Sequence, residues 1–377
     1  MNPVELLNAS AKVGVRRYQG SSLRRGTTYH ELPFDEFKAV PSHRKNTIDR
    51  WNLIKTKSGI DFQRRTLLDL GCSVGAFCLL AAKEGCREVI GIDYDEDSIN
   101  FGKFVAARMG HNNIKYFCKK LAPNSFEEFP IYDITLWLSH WMWIVKQYGI
   151  EAAKDMMYNV SLKTNILVFE SAADDAMAAI KGATQDNIKQ WLAESIIHAD
   201  VEDIGFIPAW NARHIFVCKR PMKTWRNAYT SVVNRINRTT VRKTYKPQFK
   251  WMAKREVECY RRLEGQKNFP RVVGHGDGYI DLPYCGSQQN IQGKKDQCET
   301  ILLALEAAGL KHNDINPKNL LTLNNTLYCI DMGWATMDNE KDTPVPMPSV
   351  CGGKYYANNK GNDRKAMEIS IRDGVYK

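Results

Sequence analysis

The sequence lacks the features that would carry the chain into or across a membrane. No apolar run among its 377 residues approaches the roughly 20 residues that a membrane-spanning helix needs. The N-terminal stretch has no long apolar region followed by a small-residue cleavage site, so it does not look like a secretory signal. The ten cysteines form no C-x-x-C pair, which indicates reduced thiols. We therefore expect a soluble, cytoplasmic protein without a membrane span.

Disorder is excluded by composition. Hydrophobic residues make up 44% of the chain and aromatic residues 10%, which is enough to build packed cores. Since a single core rarely grows past about 250–300 residues, a chain of this length is expected to form two domains.

Positive charge is concentrated in one segment. The formal net charge is +11, yet residues 221–255 hold ten basic residues and no acidic one, while the rest of the chain holds 43 basic and 42 acidic residues. The ten are Lys223, Arg226, Arg235, Arg238, Arg242, Lys243, Lys246, Lys250, Lys254 and Arg255. Such a segment is either a solvated face or a surface that binds phosphate.

Short apolar strands alternate with helices between residues 65 and 218. Strands are predicted at about 66–70, 88–92, 114–118, 133–138, 165–170 and 214–218, and helices at about 49–60, 76–83, 97–109, 150–161 and 185–198. This alternation indicates a mainly parallel sheet with helices on both faces.

The remainder of the chain has a different pattern. Residues 219–225 are predicted to be a linker, followed by a hairpin over 231–245, a helix over 249–263, a helix over 297–308 and two short strands over 320–330. We therefore predict three parts: a segment at 1–60 that covers substrate or cofactor, an α/β domain at 61–220 and an α+β domain at 221–377.

The first candidate site is a glycine turn between a strand and a helix. Gly71 lets the backbone approach a ligand closely, and Gly75 allows tight packing at the start of the helix. Eighteen residues after Gly75, at the end of the next strand, stands Asp93. A carboxylate at that position can accept hydrogen bonds from both hydroxyls of a ribose. The turn lacks the G-x-G-x-x-G pattern of dinucleotide-binding enzymes.

These residues resemble the class I S-adenosylmethionine-dependent methyltransferases, whose first motif is similar to Asp69-x-Gly71-x-Ser73-x-Gly75. The resemblance covers about residues 45–219 and implies a Rossmann-like α/β fold with S-adenosylmethionine as methyl donor. It implies contacts with the methionine part of the donor near Asp69 and Gly71, and with its ribose at Asp93. The implied cofactor-binding residues are Asp69, Gly71, Ser73, Gly75, Asp93, Tyr94 and Leu138.

The acceptor of the methyl group is indicated by the end of the fourth strand, where Leu138 is followed by Ser139, His140 and a group of tryptophans. This is not the Asn/Asp-Pro-Pro-Tyr motif of amino-group methyltransferases, so methylation of adenine or cytosine nitrogens is disfavoured. The pattern looks more like that of phosphate O-methyltransferases. His140 is a candidate base or phosphate contact, or else a structural histidine. An ionised phosphate oxygen needs no strong base, so positioning and charge neutralisation would supply most of the rate.

The second candidate site lies between residues 312 and 331. The run from His312 through Asp314 to Asn319 is followed twelve residues later by Asp331 in Asp331-Met332-Gly333. The two runs resemble the H-x-D-x-x-x-x-N loop and the D-x-G motif of the protein-kinase superfamily. The resemblance implies a minimal kinase-like domain in which Asp314 is the catalytic base and Asn319 and Asp331 hold Mg²⁺ on ATP.

Other parts of a kinase follow in the expected order. Lys243 occupies the position of the lysine that contacts the ATP phosphates, and Glu256 is its predicted helix partner, with Glu258 as the alternative. Leu282-Pro283-Tyr284-Cys285-Gly286 resembles the hinge that carries adenine, with Tyr284 as the implied contact. Residues 352–354 and Asp363 resemble the segment and helix that follow the activation loop.

Three departures from the protein kinases shape the prediction. No glycine occurs between Phe206 and Glu264, so the glycine-rich phosphate loop is missing; we expect Arg235, Arg238 and Arg242 to supply part of that phosphate contact. Asn316 replaces a lysine common in Ser/Thr kinases. Only about 45 residues follow Asp331, too few for a full protein-binding lobe.

Together the two sites resemble the bifunctional kinase–methyltransferases that terminate bacterial O-antigen polysaccharides. The resemblance implies phosphorylation of a hydroxyl end on a glycan or small molecule, followed by methylation of that phosphate. An RNA methyltransferase with a kinase-like binding module is the alternative, suggested by the basic segment and by arginines and tyrosines mixed within residues 16–44. A catalytically inactive scaffold is a third possibility.

Overall fold

The computed structural model of the chain describes residues 27–170, 185–207, 213–338, 340–348 and 362–374. By its internal contacts the chain divides into two units, Met1–Met222 and Lys223–Lys377. The predicted N-terminal arginines and tyrosine at 16–25 and the segment 352–354 lie outside the described residues. Within the described part, no helix is both long enough and apolar enough to cross a bilayer.

The first unit alternates strands and helices over most of its length. Its described strands are β1 (Thr28–His30), β2 (Ser42–Arg44), β3 (Thr66–Leu70), β4 (Glu88–Asp93), β5 (Ile114–Cys118), β6 (Tyr132–Leu138), β7 (Thr164–Glu170), β8 (His198–Asp203) and β9 (Ile215–Pro221). Its described helices are α1 (Thr47–Ser58), α2 (Ala76–Lys83), α3 (Glu96–Arg108), α4 (Trp141–Tyr148), α5 (Ile150–Ser161) and α6 (Gln185–Ser195).

Seven of these strands form one sheet in the order β5-β4-β3-β6-β7-β9-β8. The strands from β5 to β7 pair in parallel, whereas β9 runs antiparallel to both β7 and β8. The chain moves outward from β3 to β5 and then returns to the other side of β3 as β6, so the strand order reverses there. In open α/β sheets, ligands bind in the crevice at this reversal, outside the carboxyl ends of the strands.

Cores lie on both faces of this sheet because neighbouring residues of a strand point to opposite sides. Leu67 of β3 packs into one buried cluster and Leu68 into another. The first seven residues of α2, from Ala76 to Ala82, are all buried, so this helix is fixed directly behind the turn that follows β3. This packing accounts for the run of apolar residues after the glycine turn.

The second unit combines antiparallel strands with three described helices. The strands are β10 (Trp225–Asn227), β11 (Ser231–Arg235), β12 (Thr240–Tyr245), β13 (Gly274–Gly276), β14 (Tyr279–Pro283), β15 (Ser287–Gln288), β16 (Leu310–Lys311), β17 (Leu320–Leu323), β18 (Thr326–Cys329) and β19 (Thr336–Met337). The helices are α7 (Trp251–Arg262), α8 (Lys295–Ala307) and α9 (Asp363–Asp373).

A five-stranded antiparallel sheet, β10-β11-β12-β14-β13, carries α7 against it. Two smaller sheets, β15-β17-β18 and β16-β19, lie in the second half of the unit. One buried cluster includes Met252 and Tyr260 of α7, Ile280 of β14 and Leu327 of β18. Apolar packing therefore joins α7 to both the five-stranded sheet and the β17–β18 hairpin.

Some elements differ from the sequence prediction. The helix predicted over 185–198 ends at Ser195, because His198 begins β8, an edge strand that pairs with β9. The tryptophan group after Leu138 forms α4, which was not predicted. The predicted linker 219–225 is reduced to three residues, since β9 runs to Pro221 and β10 begins at Trp225.

Candidate active sites

The turn after β3 is tied to the end of β4. Gly71, Ser73 and Gly75 all have left-handed backbone, with φ of 76°, 52° and 75°. The Gly71 N–H donates to the carbonyl oxygen of Ile92 at 2.8 Å, and the Ser73 N–H donates to Asp93 Oδ2, also at 2.8 Å. The structure therefore brings the predicted glycine turn and the predicted ribose-binding carboxylate into direct contact.

His140 lies on the same turn. A Cβ atom added to Gly71 would stand 2.7 Å from His140 Cγ, so only glycine lets the imidazole approach this closely. Trp137 Nε1 donates to His140 Nδ1 at 3.3 Å, which places the remaining ring proton on Nε2. Burial lowers the pKa of His140 to about 4, so the ring is neutral near pH 7. The neighbouring predicted contact, Leu138, has its side chain in the core.

Two carboxylates at this turn have raised pKa values. Burial raises the pKa of Asp69 to about 7, although the Cys78 thiol donates a hydrogen bond to its Oδ2 at 3.4 Å. Burial also raises the pKa of Asp93 despite hydrogen bonds from backbone N–H groups. Tyr94, beside Asp93, has an exposed side chain. A bound cation would therefore favour the charged form of Asp69, and the carboxylates fit the cationic donor that the methyltransferase resemblance implies.

A cluster of buried arginines, which the sequence analysis did not find, lies at the ends of β6 and β7. Arg50 Nη2 donates to Glu170 Oε2 at 2.6 Å, and the Ser139 hydroxyl also donates to that oxygen. Arg44 Nη1 donates to Ser139 Oγ at 3.3 Å and lies 3.8 Å from Glu170 Oε2. Ser139 has a φ of 60°, so the strained end of β6 turns its hydroxyl into the cluster.

Positive charge exceeds negative charge in this arginine cluster. Burial lowers the pKa of His30, and the positive charges of Arg50, Arg44 and Arg213 lower it further. Glu170 is the one carboxylate paired with them among the described residues. Four buried nitrogens, Nε and Nη1 of both Arg50 and Arg213, have no hydrogen-bond partner in the described part of the chain. Such unpaired buried donors fit an anionic ligand.

The spacing of residues on one face of α1 could have identified Arg50 as a member of this arginine cluster. Arg50 stands four residues before Ile54 in α1, and residues four apart share one face of a helix. Since Ile54 is fully buried, an arginine on the same face is a buried charge that needs partners. Arg44 lies close to Arg50 in the sequence but outside α1, and Arg213 comes from a distant part of the chain, so neither carries a comparable local signal.

In the second unit, three predicted residues meet in one buried group. Lys243 Nζ of β12 lies 3.1 Å from Glu256 Oε2 of α7 and 2.5 Å from Asp331 Oδ1. Burial acts to lower the pKa of Lys243, but the charges of Asp331 and Glu256 outweigh it and the pKa is raised. Burial acts to raise the pKa of Asp331, but Lys243 outweighs it and the pKa is lowered. Both groups are therefore charged at neutral pH.

The structure places Glu256, not the alternative Glu258, beside Lys243. Glu258 pairs instead with Arg262 one turn further along α7, at 3.3 Å. Glu256 is fully buried and also accepts hydrogen bonds from the Tyr245 hydroxyl and, at 3.0 Å, from the Met332 N–H. Tyr245 is thus a further member of the site that sequence analysis missed.

Asp314 is held by two asparagines of its own loop. Asn319 Nδ2 donates to the carbonyl oxygen of Asp314 at 2.9 Å and to its Oδ2 at 3.0 Å, and Asn316 Nδ2 donates to its Oδ1 at 3.0 Å. Burial raises the pKa of Asp314 to about 6, with the charge of Asp331 adding to the effect. The carboxylate is therefore ionised at neutral pH and oriented by neutral donors.

The first residue of α9 anchors this loop. Asp363 Oδ2 accepts the His312 N–H at 2.6 Å, and Asp363 Oδ1 accepts the Asn313 N–H at 2.9 Å. Asp363, which in sequence resembles the start of the helix after an activation loop, therefore contacts the Asp314 loop directly.

Asn319 and Asp331 offer the oxygen ligands that Mg²⁺ prefers. No group of three or more His, Cys, Asp or Glu residues that could hold a metal was found in the described ranges. One carboxylate and one amide fit an ion that keeps waters and phosphate oxygens as its other ligands. The residues present therefore suit magnesium that arrives with a nucleotide.

The arginines expected to replace the glycine-rich loop do not share one location. Arg242 forms two hydrogen bonds of 2.7 Å with Asp281 of β14. The guanidinium of Arg235 lies 3.7 Å from the ring centroid of Tyr284, the predicted hinge residue, and its Nη2 donates to the Arg238 carbonyl at 2.7 Å. Arg242 therefore pairs with a carboxylate on the neighbouring strand and Arg235 lies against the predicted hinge residue, while a contact of these arginines with ATP phosphates stays a prediction.

Comparisons with known proteins were made at the level of sequence and fold. A family model described as a methyltransferase domain matches residues 62–133. No curated protein sequence matched the chain. Among solved structures the chain is similar to the bifunctional kinase-methyltransferase WbdD, with 17% identity and a TM-score of 0.46 over 97% of this chain and 94% of that chain.

The first half of the chain is also similar to magnesium protoporphyrin IX methyltransferase (ChlM) from Synechocystis PCC 6803, solved with bound S-adenosylmethionine. That comparison gives 17% identity and a TM-score of 0.35 over 46% of this chain and 77% of the other. The family match covers β3 and its glycine turn, β4 with Asp93, and the start of β6. Residues 62–133 therefore match a methyltransferase domain, the family that the glycine turn resembles.

Proposed function

We propose that the chain is a bifunctional transferase. Its second unit phosphorylates a hydroxyl end on a glycan or small molecule with ATP, and its methyltransferase unit methylates the resulting phosphate. The observation that supports a phosphate acceptor is the arginine cluster beside the glycine turn, where Arg44 and Arg50 face one paired carboxylate, Glu170, and buried guanidinium nitrogens have no partner among the described residues. A dianionic phosphate monoester would supply the missing negative charge.

In methyl transfer, the residues of the chain bind and orient. Asp69, Asp93 and the glycine turn would hold S-adenosylmethionine, which supplies an electrophilic methyl group. Arg44 and Arg50 neutralise the acceptor oxygens and exclude water from them, which replaces the need for a strong base. His140 is neutral because of its low pKa, so its Nε2 proton can donate a hydrogen bond to an acceptor oxygen.

In phosphoryl transfer, Asp314 accepts the proton of the acceptor hydroxyl, and its two asparagines fix the carboxylate for that role. Lys243, held by Glu256, would neutralise phosphate oxygens. Asn319 and Asp331 would hold Mg²⁺, which supplies charge neutralisation on the transferred group.

The test is a double-label assay with nitrophenyl glycosides and the matching glycoside phosphates. We expect methyl label in glycoside phosphates without ATP, and in plain glycosides only when ATP is present. Asp314→Asn should block use of the plain glycosides and leave the phosphates as substrates. Arg44→Gln should do the reverse, with phosphoryl label retained and methyl label lost. Methyl label in plain glycosides without ATP contradicts the proposal.

The RNA alternative rests on the basic segment, and its charge is partly neutralised within the second unit. Lys243 pairs with Glu256, Arg242 with Asp281, Lys250 with Asp277 and Arg255 with Glu340. A segment whose charges are paired locally attracts phosphate backbones less strongly. Retention of RNA that falls steeply with salt would favour the alternative.

A further inference from the structure

We propose that the ion pair between Arg255 and Glu340 positions α7 for phosphoryl transfer, so that the second unit is competent without covalent modification of the segment after Asp331. Arg255 and Glu340 are positioning residues that act through Glu256. The inference rests on the proposed kinase activity and deepens it, by naming what keeps that site assembled.

The contact is specific and largely buried at the arginine. Arg255 Nη1 donates to Glu340 Oε2 at 2.7 Å and Nη2 donates to Glu340 Oε1 at 3.1 Å, so the pair is bidentate. Nη1 also donates to the carbonyl oxygen of Ala335 at 2.8 Å. The Arg255 side chain is 8% exposed. Two parallel hydrogen bonds between charged groups fix orientation as well as distance.

A second contact of the same kind lies two turns further along α7. Arg262 Nη1 donates to Asp338 Oδ1 at 2.9 Å. Arg255 and Arg262 of α7 therefore contact acidic residues two positions apart, Glu340 and Asp338. One ion pair on an exposed surface would contribute little, but a bidentate pair that is buried at its arginine, with a second pair beside it, restricts how the helix can rotate or shift.

The segment that receives these arginines is itself fixed to the Asp314 loop. Thr336 and Met337 form β19, which pairs with β16 at Lys311 and Leu310, directly before His312. The Asp338 N–H donates to the Gly309 carbonyl at 2.6 Å. The arginines therefore connect α7 to the part of the chain that carries the catalytic loop.

The position of α7 determines whether Glu256 can contact Lys243. Arg255 immediately precedes Glu256, whose carboxylate holds Lys243 and accepts the Met332 N–H. A rotation of α7 would withdraw Glu256 from both partners. In many transferases such a helix is held in place by a charged group that covalent modification adds to the chain. Here the negative charge comes from two side chains of the chain itself, Glu340 and Asp338. The hydrogen bond from Arg255 also lowers the pKa of Glu340, so the pair is charged across the neutral range.

The main test compares Glu340→Ala and Glu340→Gln with the control Glu299→Ala. Glu299 pairs with Arg364 at 2.8 Å on an exposed surface of the same unit. We expect Glu340→Ala to lower kcat for phosphoryl transfer by about 10- to 100-fold per folded molecule, because a small misplacement of Glu256 displaces Lys243. Glu340→Gln keeps an oxygen that accepts a hydrogen bond, so its loss should be smaller. Glu299→Ala should stay within about 2-fold of the original.

Two further readouts separate this role from a merely structural one. Hydrogen exchange of the amides in 251–262 should accelerate in Glu340→Ala, and unmodified protein, checked by intact mass, should be fully active. A kcat per folded molecule unchanged in Glu340→Ala, or activity that requires phosphorylation of the chain, would overturn the inference. Absence of phosphoryl transfer by the unaltered protein refutes the proposed function instead, and hydrogen exchange then decides alone: faster exchange in the variant supports the role of the ion pair, and unchanged exchange refutes it.

Discussion

Asn319 holds Asp314 at two points, since its Nδ2 lies 2.9 Å from the Asp314 carbonyl oxygen and 3.0 Å from Oδ2. One amide group thus fixes both the backbone and the carboxylate of the predicted base. An amide has one oxygen and one nitrogen, so the same side chain still has an oxygen with which to hold magnesium. In the proposed mechanism, Asn319 would therefore couple the position of the metal to the position of the base.

Phosphoryl transfer should lose rate as the pH falls through about 6, the pKa of Asp314. The group is a carboxyl whose pKa is raised by burial, so it is ionised above that value and protonated below it. Only the ionised form accepts a proton. A pH profile of kcat/KM at saturating ATP measures the inflection. Asp314→Asn should reduce the rate by about 100- to 10,000-fold at every pH; an inflection that persists in a residually active variant would assign it to another group.

Glu256→Gln should reduce phosphoryl transfer and leave methyl transfer of a pre-phosphorylated acceptor unchanged. The variant removes a charge that holds Lys243, and Lys243 would then pair with Asp331 alone. We expect a loss of about 10-fold or more in kcat/KM for ATP. Removing one partner of a buried ion pair should also destabilise the second unit by about 3–5 kcal/mol. Glu258→Gln is the matched control, because Glu258 pairs with Arg262 and not with Lys243.

Asp69→Asn should stabilise the free protein at high pH and weaken its binding of S-adenosylmethionine. Burial raises the pKa of Asp69 from 3.8 to about 7. The stability contributed by its protonated form is fully present below the lower value and is lost as the pH rises through the higher one. Asparagine cannot ionise, so near about pH 8 the variant should unfold with a free energy higher by up to about 4 kcal/mol, which corresponds to the rise of the Asp69 pKa from 3.8 to about 7. Thermal denaturation across pH measures this.

Asp133→Asn is the control for that experiment, because its effect on stability should have the opposite sign. Burial acts to raise the pKa of Asp133, but hydrogen bonds from Thr66 outweigh it and the pKa is lowered. Its contribution to stability is present at neutral pH and is lost as the pH falls. The variant should therefore be less stable near pH 7, and the two variants should converge with the original protein under acidic conditions.

Methyl transfer should show no histidine inflection between about pH 5.5 and 8, because His140 stays neutral throughout that range. His140→Ala should lower the rate by about 10-fold or less, since the residue would donate a hydrogen bond and would not remove a proton. Single-turnover methylation of a glycoside phosphate is the measurement. An inflection near 6.5 that disappears in the variant would show that the ring is protonated during the reaction.

Local patterns in the sequence predicted much of the first unit. Alternating apolar runs placed β3, β5 and α2 at their observed residues, and they placed the glycine turn and Asp93 at the ends of successive strands, where the structure joins them by a hydrogen bond. These features depend on neighbours within about twenty residues, so one sequence is sufficient to find them. In the second unit the kinase resemblance implied a glutamate partner for Lys243, while the choice between Glu256 and Glu258 depended on how α7 is rotated. The contact of Lys243 with Asp331 was not predicted.

Features that depend on distant partners were not predictable. Arg44 and Arg50 come from β2 and α1, and only the folded sheet brings them to Glu170 at the end of β7. The same limit applies to the charge of Arg242. A count of basic residues along the chain gives the local charge, but it misses the carboxylate that neutralises Arg242. That carboxylate, Asp281, stands thirty-nine residues away on the paired strand.

The Asp363 anchor makes the beginning of α9 part of the second active site, although it lies 51 residues after His312. Proteolysis or truncation anywhere between residues 345 and 362 would separate α9 from the chain that it holds. The backbone N–H groups of His312 and Asn313 would then lose their acceptor, and the Asp314 loop would gain freedom. The shortest fragment that retains an ordered phosphoryl-transfer site therefore extends beyond Asp363, well past the last residue that contacts a nucleotide in the proposed mechanism.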